Sequence, residues 1–221
     1  PGLTDGVAWV SVGRVRIRRK PFAHGGQRNA FHMQSTRGSR TFHMESTCFP
    51  VESEFGVHMI AKESRYVEGP SERLDSHKLS MLEAETARDF AEAFNLELRK
   101  VDRNHPKIDV LKLEIYRIPD ASQPDGYRYL SVEPYLCGQF TKFNGNNGFV
   151  RNSKLIPGRK TSRAFDTAQA FTHWSFEWSL QTTRETCMVC DIQGVGFQYT
   201  DCTICSADRR FGKTDLGEEG V

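Results

Sequence analysis

The sequence contains no run of eighteen consecutive apolar residues, so nothing in it reads as a membrane-spanning helix. It carries almost no net charge: 30 Lys and Arg stand against 28 Asp and Glu in 221 residues, a formal +2. Such a balance supplies no long-range pull toward nucleic acid or a membrane surface. There is no internal repeat, no low-complexity tract and no signal-peptide pattern. The chain opens on Pro1 rather than Met, as a fragment would. Cysteine is sparse, with Cys48 and Cys137 isolated and Cys187, Cys190, Cys202 and Cys205 clustered late. Without a leader, these are expected to be free thiols in a reducing, cytoplasmic setting. Also missing are G-x-G-x-x-G-x-V, H-R-D, D-F-G and the Walker A pattern, which excludes a conventional protein kinase and a P-loop NTPase.

What is present is enough for a packed core: 38% of residues are hydrophobic and 11% aromatic. In the stretch from Gly6 to Phe22, Val10, Val12, Val15 and Ile17 interleave with polar and basic residues, the period of a half-buried strand with a solvated basic face. "FAHGGQRNAFHM" reads as a glycine turn feeding a second strand, and "SRTFHMES" and "FGVHMIAKES" as a strand pair. Residues 79–95 form the clearest helix, with Leu79, Leu82, Thr86, Phe90 and Phe94 on one face. "IDVLKLEIYRI" and "YRYLSVEPY" are strands around the turn-rich "PDASQPDG", and "CGQFTKFNGNNGFV" is a polar loop. "DTAQAFTHWSFEWSLQTT" is a second helix, with Ala168, Phe171, Ser175 and Trp178 on one side. "TCMVCDIQGVG" is a short buried strand breaking into a glycine loop. The order of elements predicts an α+β fold, sheet-rich in its first half.

Two readings compete for the late stretch "CDIQGVGFQYTDCT". Cys187-x-x-Cys190 and Cys202-x-x-Cys205 could form a four-thiolate zinc module. Their separation, eleven residues, is shorter than the usual one, and residues three apart on a strand face opposite ways. Alternatively, Asp191, Gln193 and Asp201 offer hard oxygen ligands at a strand end opening into glycine, which suits magnesium. Upstream, Lys62 lies among apolar neighbours on a strand, where a lone ammonium is costly without an anion. Arg28 follows the Gly25-Gly26 turn, where amides and a guanidinium together can hold phosphate oxygens. "VEPYLCG" ends a strand as a hinge would. A glycine loop, a strand lysine, a hinge and late metal carboxylates are, in that order, the parts of a phosphoryl-transfer enzyme.

Four stretches, "VEPYLCGQFTKFNGNNGFV", "AQAFTHWSFE", "DIQGVGFQYTD" and "FGKTDLGEEG", resemble the atypical alpha-kinase family from about Pro21 onward. The resemblance implies a two-lobed, protein-kinase-like α+β fold: residues 1–20 a strand extension, 21–135 a sheet-rich nucleotide-binding lobe, and 136–221 a mixed catalytic lobe, truncated at its C-terminus. It implies ATP and Mg2+ as cofactors, phosphorylation of Ser or Thr on a protein substrate, and no nucleic-acid or membrane partner. By the same resemblance, Lys62 and Arg28 contact ATP phosphates, and Glu133 sits beside the adenine. Asp191 is the catalytic aspartate, and Gln193 and Asp201 are Mg2+ ligands. Lys142, Asn144, Gly217 and Gly220 belong to substrate-side loops. His173 matches a structural zinc ligand whose partners would lie beyond Val221. Where the family usually has Pro after the second Asp, this chain has Cys202. A catalytically weakened nucleotide-binding or scaffolding relative is the other function the motifs allow.

Overall fold

The computed structural model describes residues 13–36, 57–65, 69–151 and 159–220. Its strands and helices run β1 (Val15–Ile17), β2 (Ala23–His24), β3 (Arg28–Ser35), β4 (Val57–Ser64), α1 (Pro70–Val101), β5 (Asp109–Val110), β6 (Glu114–Pro119), β7 (Tyr127–Pro134), β8 (Thr141–Lys142), α2 (Arg159–Thr182), β9 (Cys187–Cys190), β10 (Gln193–Val195), β11 (Gln198–Thr200) and β12 (Thr203–Ser206), with a closing 3-10 turn at Gly217–Gly220. The fold is α+β. The described residues fall into two compact units: the chain up to Lys78 with Leu113–Cys137, and Leu79–Lys112 with the chain from Gly138. The expected 21–135 and 136–221 segments differ from these units in where they put residues 79–112.

The first unit is an antiparallel sheet in the order β1-β3-β4-β7-β6, with β2 on β3. Its register follows the two-residue period of the side chains. Phe31, Met33, Met59, Ala61, Leu130 and Val132 pack into one buried cluster. The residues between them carry Arg28, Lys62 and Ser131 to the opposite face, with Lys62 directly across from Ser131. The expected partner strand for β4, "SRTFHMES", lies outside the described residues, as do residues 6–12 of the opening strand, whose Val15–Ile17 form β1; β4 pairs with β3 and β7 instead.

In the second unit, β5-β11-β10-β8 form one sheet and β12-β9 another. The core joins Phe90 and Phe94 of α1, Phe165 and Phe171 of α2, and Val189 and Tyr199 of the strands. Leu82, expected on the buried face of α1, is 43% exposed. The expected strand "IDVLKLEIYRI" divides, because β5 lies beside β11 while β6 lies beside β7. α2 does more than bury apolar surface. The Ser175 hydroxyl accepts the amide of Val189 at 2.9 Å, and Ser179 accepts the amide of Cys187 at 3.0 Å while donating to the Cys187 carbonyl at 2.8 Å. These bonds satisfy the free edge of β9, which a two-stranded sheet cannot cover alone, and fix the strand that leads into Asp191.

Candidate functional site

Strand β4 delivers Lys62 to a position 6% exposed, and strand β7 brings Glu133 within 2.5 Å of its ammonium. The anion that the buried lysine requires is therefore supplied within the chain. Glu133, expected beside an adenine, has its carboxylate turned to Lys62. Removing either member would leave a buried charge without its counter-ion. Arg28 opens β3 directly after the Gly25–Gly26 turn, which is closed by the amide of Gly25 on the Arg28 carbonyl at 2.8 Å and by Arg65 on the Gly25 carbonyl at 2.9 Å. His77 of α1 is buried against Ser131, with Nδ1 and Oγ 2.7 Å apart. Burial and the nearby Arg28 guanidinium lower its pKa to about 4, so the imidazole is neutral at ordinary pH. No sequence signal marked His77, because the stretch before Leu79 is polar and shows no helical apolar stripe.

In the second unit, one hairpin gathers the acidic candidates. Strand β9 ends at Cys190; Asp191 then turns the chain with φ +56°, and Asp201 does the same after β11 with φ +52°. Two non-glycine residues held in the left-handed region mark a backbone fixed by its surroundings. Between them, β10 and β11 pair through Gly194 opposite Tyr199 and Gln193 opposite Thr200. Gly194 has φ +151°, and a Cβ there would lie 2.0 Å from the Gln198 carbonyl oxygen, so only glycine permits this pairing. Gln193 donates through Nε2 to the Asp201 carbonyl at 3.4 Å, which turns its Oε1 away from that bond. The side-chain oxygens of Gln193 and Asp201 are hard donors by type and suit Mg2+, an ion that takes few protein ligands and fills its shell with water and phosphate oxygens.

Lys142 of β8 lies directly opposite Gln193 of β10, and its ammonium pairs with Asp191 Oδ1. The next strand residues hold the loop behind the carboxylate. Asn144, buried at 3% exposure, accepts the Ile192 amide through Oδ1 at 2.8 Å and donates through Nδ2 to Thr172 at 2.9 Å and Gln169 at 3.2 Å. The Phe143 amide in turn donates to the Ile192 carbonyl at 2.8 Å. Asn144 therefore acts on the Asp191 turn from behind, with its amide group committed to the protein interior.

Gly217 is set by Asp215, which sequence reading did not single out. Its carboxylate accepts the amides of Ser206 at 2.8 Å, Gly217 at 3.0 Å and Phe211 at 3.3 Å, and the Ser206 hydroxyl at 2.5 Å. Burial would raise its pKa, but these bonds outweigh it and hold the carboxyl below its usual range. Gly220 lies against Cys205, where a Cβ would be 2.6 Å from the sulfur.

The four-thiolate zinc reading is overturned. Cys187 accepts a hydrogen bond from Arg210 at 3.1 Å, whereas Cys190 faces Cys205 across the β9–β12 pair. Among the described residues no group of three or more His, Cys, Asp and Glu side chains could hold a metal, and His173 stands exposed on α2 outside any such cluster. None of the helices among the described residues is long and apolar enough to cross a membrane.

The sequence profile of the alpha-kinase family matches residues 23–221. Among curated proteins, the chain is 26% identical over 213 residues to alpha-protein kinase vwkA of Dictyostelium discoideum, covering 94% of this chain and 28% of that protein. It is 28% identical over 240 residues to myosin heavy chain kinase A of the same organism, covering 96% of this chain and 19% of that one. It is also 33% identical over 100 residues to human transient receptor potential cation channel subfamily M member 7, covering 42% of this chain and 5% of the channel. The chain thus spans less than a third of the length of each of these relatives. Among solved structures, the alpha-kinase domain of myosin-II heavy chain kinase A in complex with AMP-PNP superposes with a TM-score of 0.69 at 27% identity, covering 94% of this chain and 80% of that one. The same domain in complex with AMP gives 0.68 at 25% identity, covering 93% and 82%. With its profile over residues 23–221 and its fold in agreement, this chain belongs to the alpha-kinase family.

Proposed function

We propose that this chain is a protein serine/threonine kinase domain that transfers the γ-phosphoryl group of ATP to a protein substrate with the help of Mg2+. The observation that carries the reading is the bond from the Gln193 side-chain amide to the Asp201 carbonyl across the β10–β11 hairpin, with the ion pair between Asp191 and Lys142 of β8 supporting it. Transfer between oxygens needs positioning and charge neutralisation more than covalent chemistry. Lys62, steadied by Glu133, and Arg28, at the mouth of the Gly25–Gly26 turn, would meet phosphate oxygens. Gln193 Oε1 and the Asp201 carboxylate would hold Mg2+, which neutralises phosphate charge when bound. Asp191 would accept the hydrogen bond of the substrate hydroxyl and take its proton as the oxygen attacks. Lys142 would keep that carboxylate oriented, and Asn144 would keep its turn in place. Gly217 and Gly220, on a segment anchored by Asp215, would border the peptide. None of the five described cysteines is in a disulfide, in keeping with a reducing, cytoplasmic setting.

The ion pair on Asp191 favours one second reading, a domain that binds nucleotide without transfer because its aspartate stays engaged. Incubation with γ-labelled ATP, Mg2+ and basic test peptides ending in Ser, Thr or Tyr separates the two. Label on Ser or Thr is expected. Thermal stabilisation by ATP with no label on any peptide would establish the second reading.

A further inference from the structure

The paired Cys-x-x-Cys motifs have no part in the proposed chemistry, yet the fold brings two of the four thiols together. Cys190 Sγ and Cys205 Sγ are 3.4 Å apart. Both are buried, at 1% and 0% exposure. In the β9–β12 register Cys190 lies opposite Thr203 and Cys205 opposite Met188, so the two sulfurs are diagonal neighbours on one face. Cys187 points elsewhere and is engaged by Arg210. A disulfide requires about 2.05 Å between sulfurs, so closing the pair moves them together by about 1.4 Å. That movement falls on a chain with little slack: Asp191 follows Cys190 directly at φ +56°, and Ile192 is tied to Asn144.

We propose that Cys190 and Cys205 form a peroxide-driven disulfide that loosens the Asp191 turn and so switches off the site. The regulatory half rests on the kinase reading above; the bond itself does not. In the first step the Cys205 sulfur attacks one peroxide oxygen, the O–O bond breaks, and the departing hydroxide takes the Cys205 thiol proton and leaves as water, giving a sulfenic acid. The Cys190 sulfur then attacks that sulfur, the S–O bond breaks, and a second water leaves with the Cys190 proton. Two electrons pass from the thiols to one peroxide. The two sulfurs share one hydrogen bond in which either can be the donor, so oxidation of either one first leads to the same bond. A bond formed with strain is an easily reduced one, as a reversible switch requires.

The test treats the folded protein with hydrogen peroxide, blocks remaining thiols, and locates the bond by fragmentation mass spectrometry. Residues 185–209 form one tryptic peptide containing Cys187, Cys190, Cys202 and Cys205. A Cys190–Cys205 bond appears as the loss of two hydrogen masses with Cys187 and Cys202 still alkylated. Amide hydrogen exchange at Ile192 should quicken in the oxidised form and recover on reduction with dithiothreitol. Cys205→Ser and, separately, Cys190→Ala should abolish both changes. No bond while exposed Cys137 is oxidised, or a bond through Cys187 or Cys202, overturns the proposal. So does a Cys190–Cys205 bond that leaves Ile192 exchange unchanged. Phosphoryl transfer, measured in parallel, should fall on oxidation and return on reduction. Reduced protein without transfer would instead refute the kinase reading, leaving the mass and exchange results to decide the disulfide.

Discussion

Replacing Asn144 with Ala tests whether the Asp191 turn is held from behind. The side chain makes three hydrogen bonds from a site only 3% exposed. Truncation leaves the Ile192 amide buried without its side-chain acceptor, which costs about 1–3 kcal/mol. Thr172 Oγ1 and Gln169 Oε1 each lose a donor, but both are neutral acceptors and Gln169 is half-buried, so their losses add about 1 kcal/mol together. The total, about 2–4 kcal/mol, corresponds in a domain of this size to a fall in Tm of about 5–15 °C. Calorimetry or denaturant unfolding reads the stability, and Ile192 exchange reads the local effect. Asn144→Asp keeps an oxygen for the Ile192 amide but sets a carboxylate against Gln169. It should therefore restore Ile192 protection while recovering only part of the stability. If Asn144→Ala unfolds within about 0.5 kcal/mol of the parent, the ordinary range for surface changes, the anchoring role is refuted.

Two further predictions concern pH. The native pKa of His77, about 4, lies below its ordinary value of 6.5, so the unfolded chain takes the proton first. Stability should fall as pH drops from about 6.5 toward 4 and level off below; the 2.5-unit gap is worth about 3 kcal/mol. His77→Gln should flatten that portion of a pH-dependent unfolding curve, and an unchanged slope would refute the assignment. Asp215 is displaced in the same direction. Its carboxyl is held below its usual range, so its stabilisation is complete above the unfolded carboxylate pKa and is lost as pH falls through the native one. Asp215→Asn, which turns an amide NH2 toward amide donors, should cost about 2–4 kcal/mol at neutral pH and very little in strong acid. Equal destabilisation at both pH values would contradict this.

The sequence displays whatever repeats with the period of its own backbone. Phe90 and Phe94 in α1, and Ala168, Phe171 and Ser175 in α2, recur at helical steps and are buried as that spacing demands. The start of α1 was not legible, because residues 70–78 are polar: Arg73 meets Gln123 and His77 meets Ser131, so no apolar stripe announces the helix. The same limit applies to the candidate site. Glycine and aspartate placement in "DIQGVG" exposes the turn, and strand alternation shows that Cys187 and Cys190 diverge. Pairings across strands depend on register, which no local pattern encodes. Thus Lys142 with Asp191, Cys190 with Cys205, Lys62 with Glu133, and Asp215 beneath Gly217 emerge only once the strands are laid side by side.

The central claim is that the Asp191 carboxylate handles the substrate hydroxyl, and Asp191→Asn tests it most directly. The substitution preserves the shape of the turn but removes the proton acceptor. Transfer of labelled phosphate from ATP to a Ser/Thr peptide should fall by at least about 100-fold, as loss of a general base entails, while ATP affinity stays within a few-fold of the parent. Undiminished transfer by a folded Asp191→Asn protein would contradict the account.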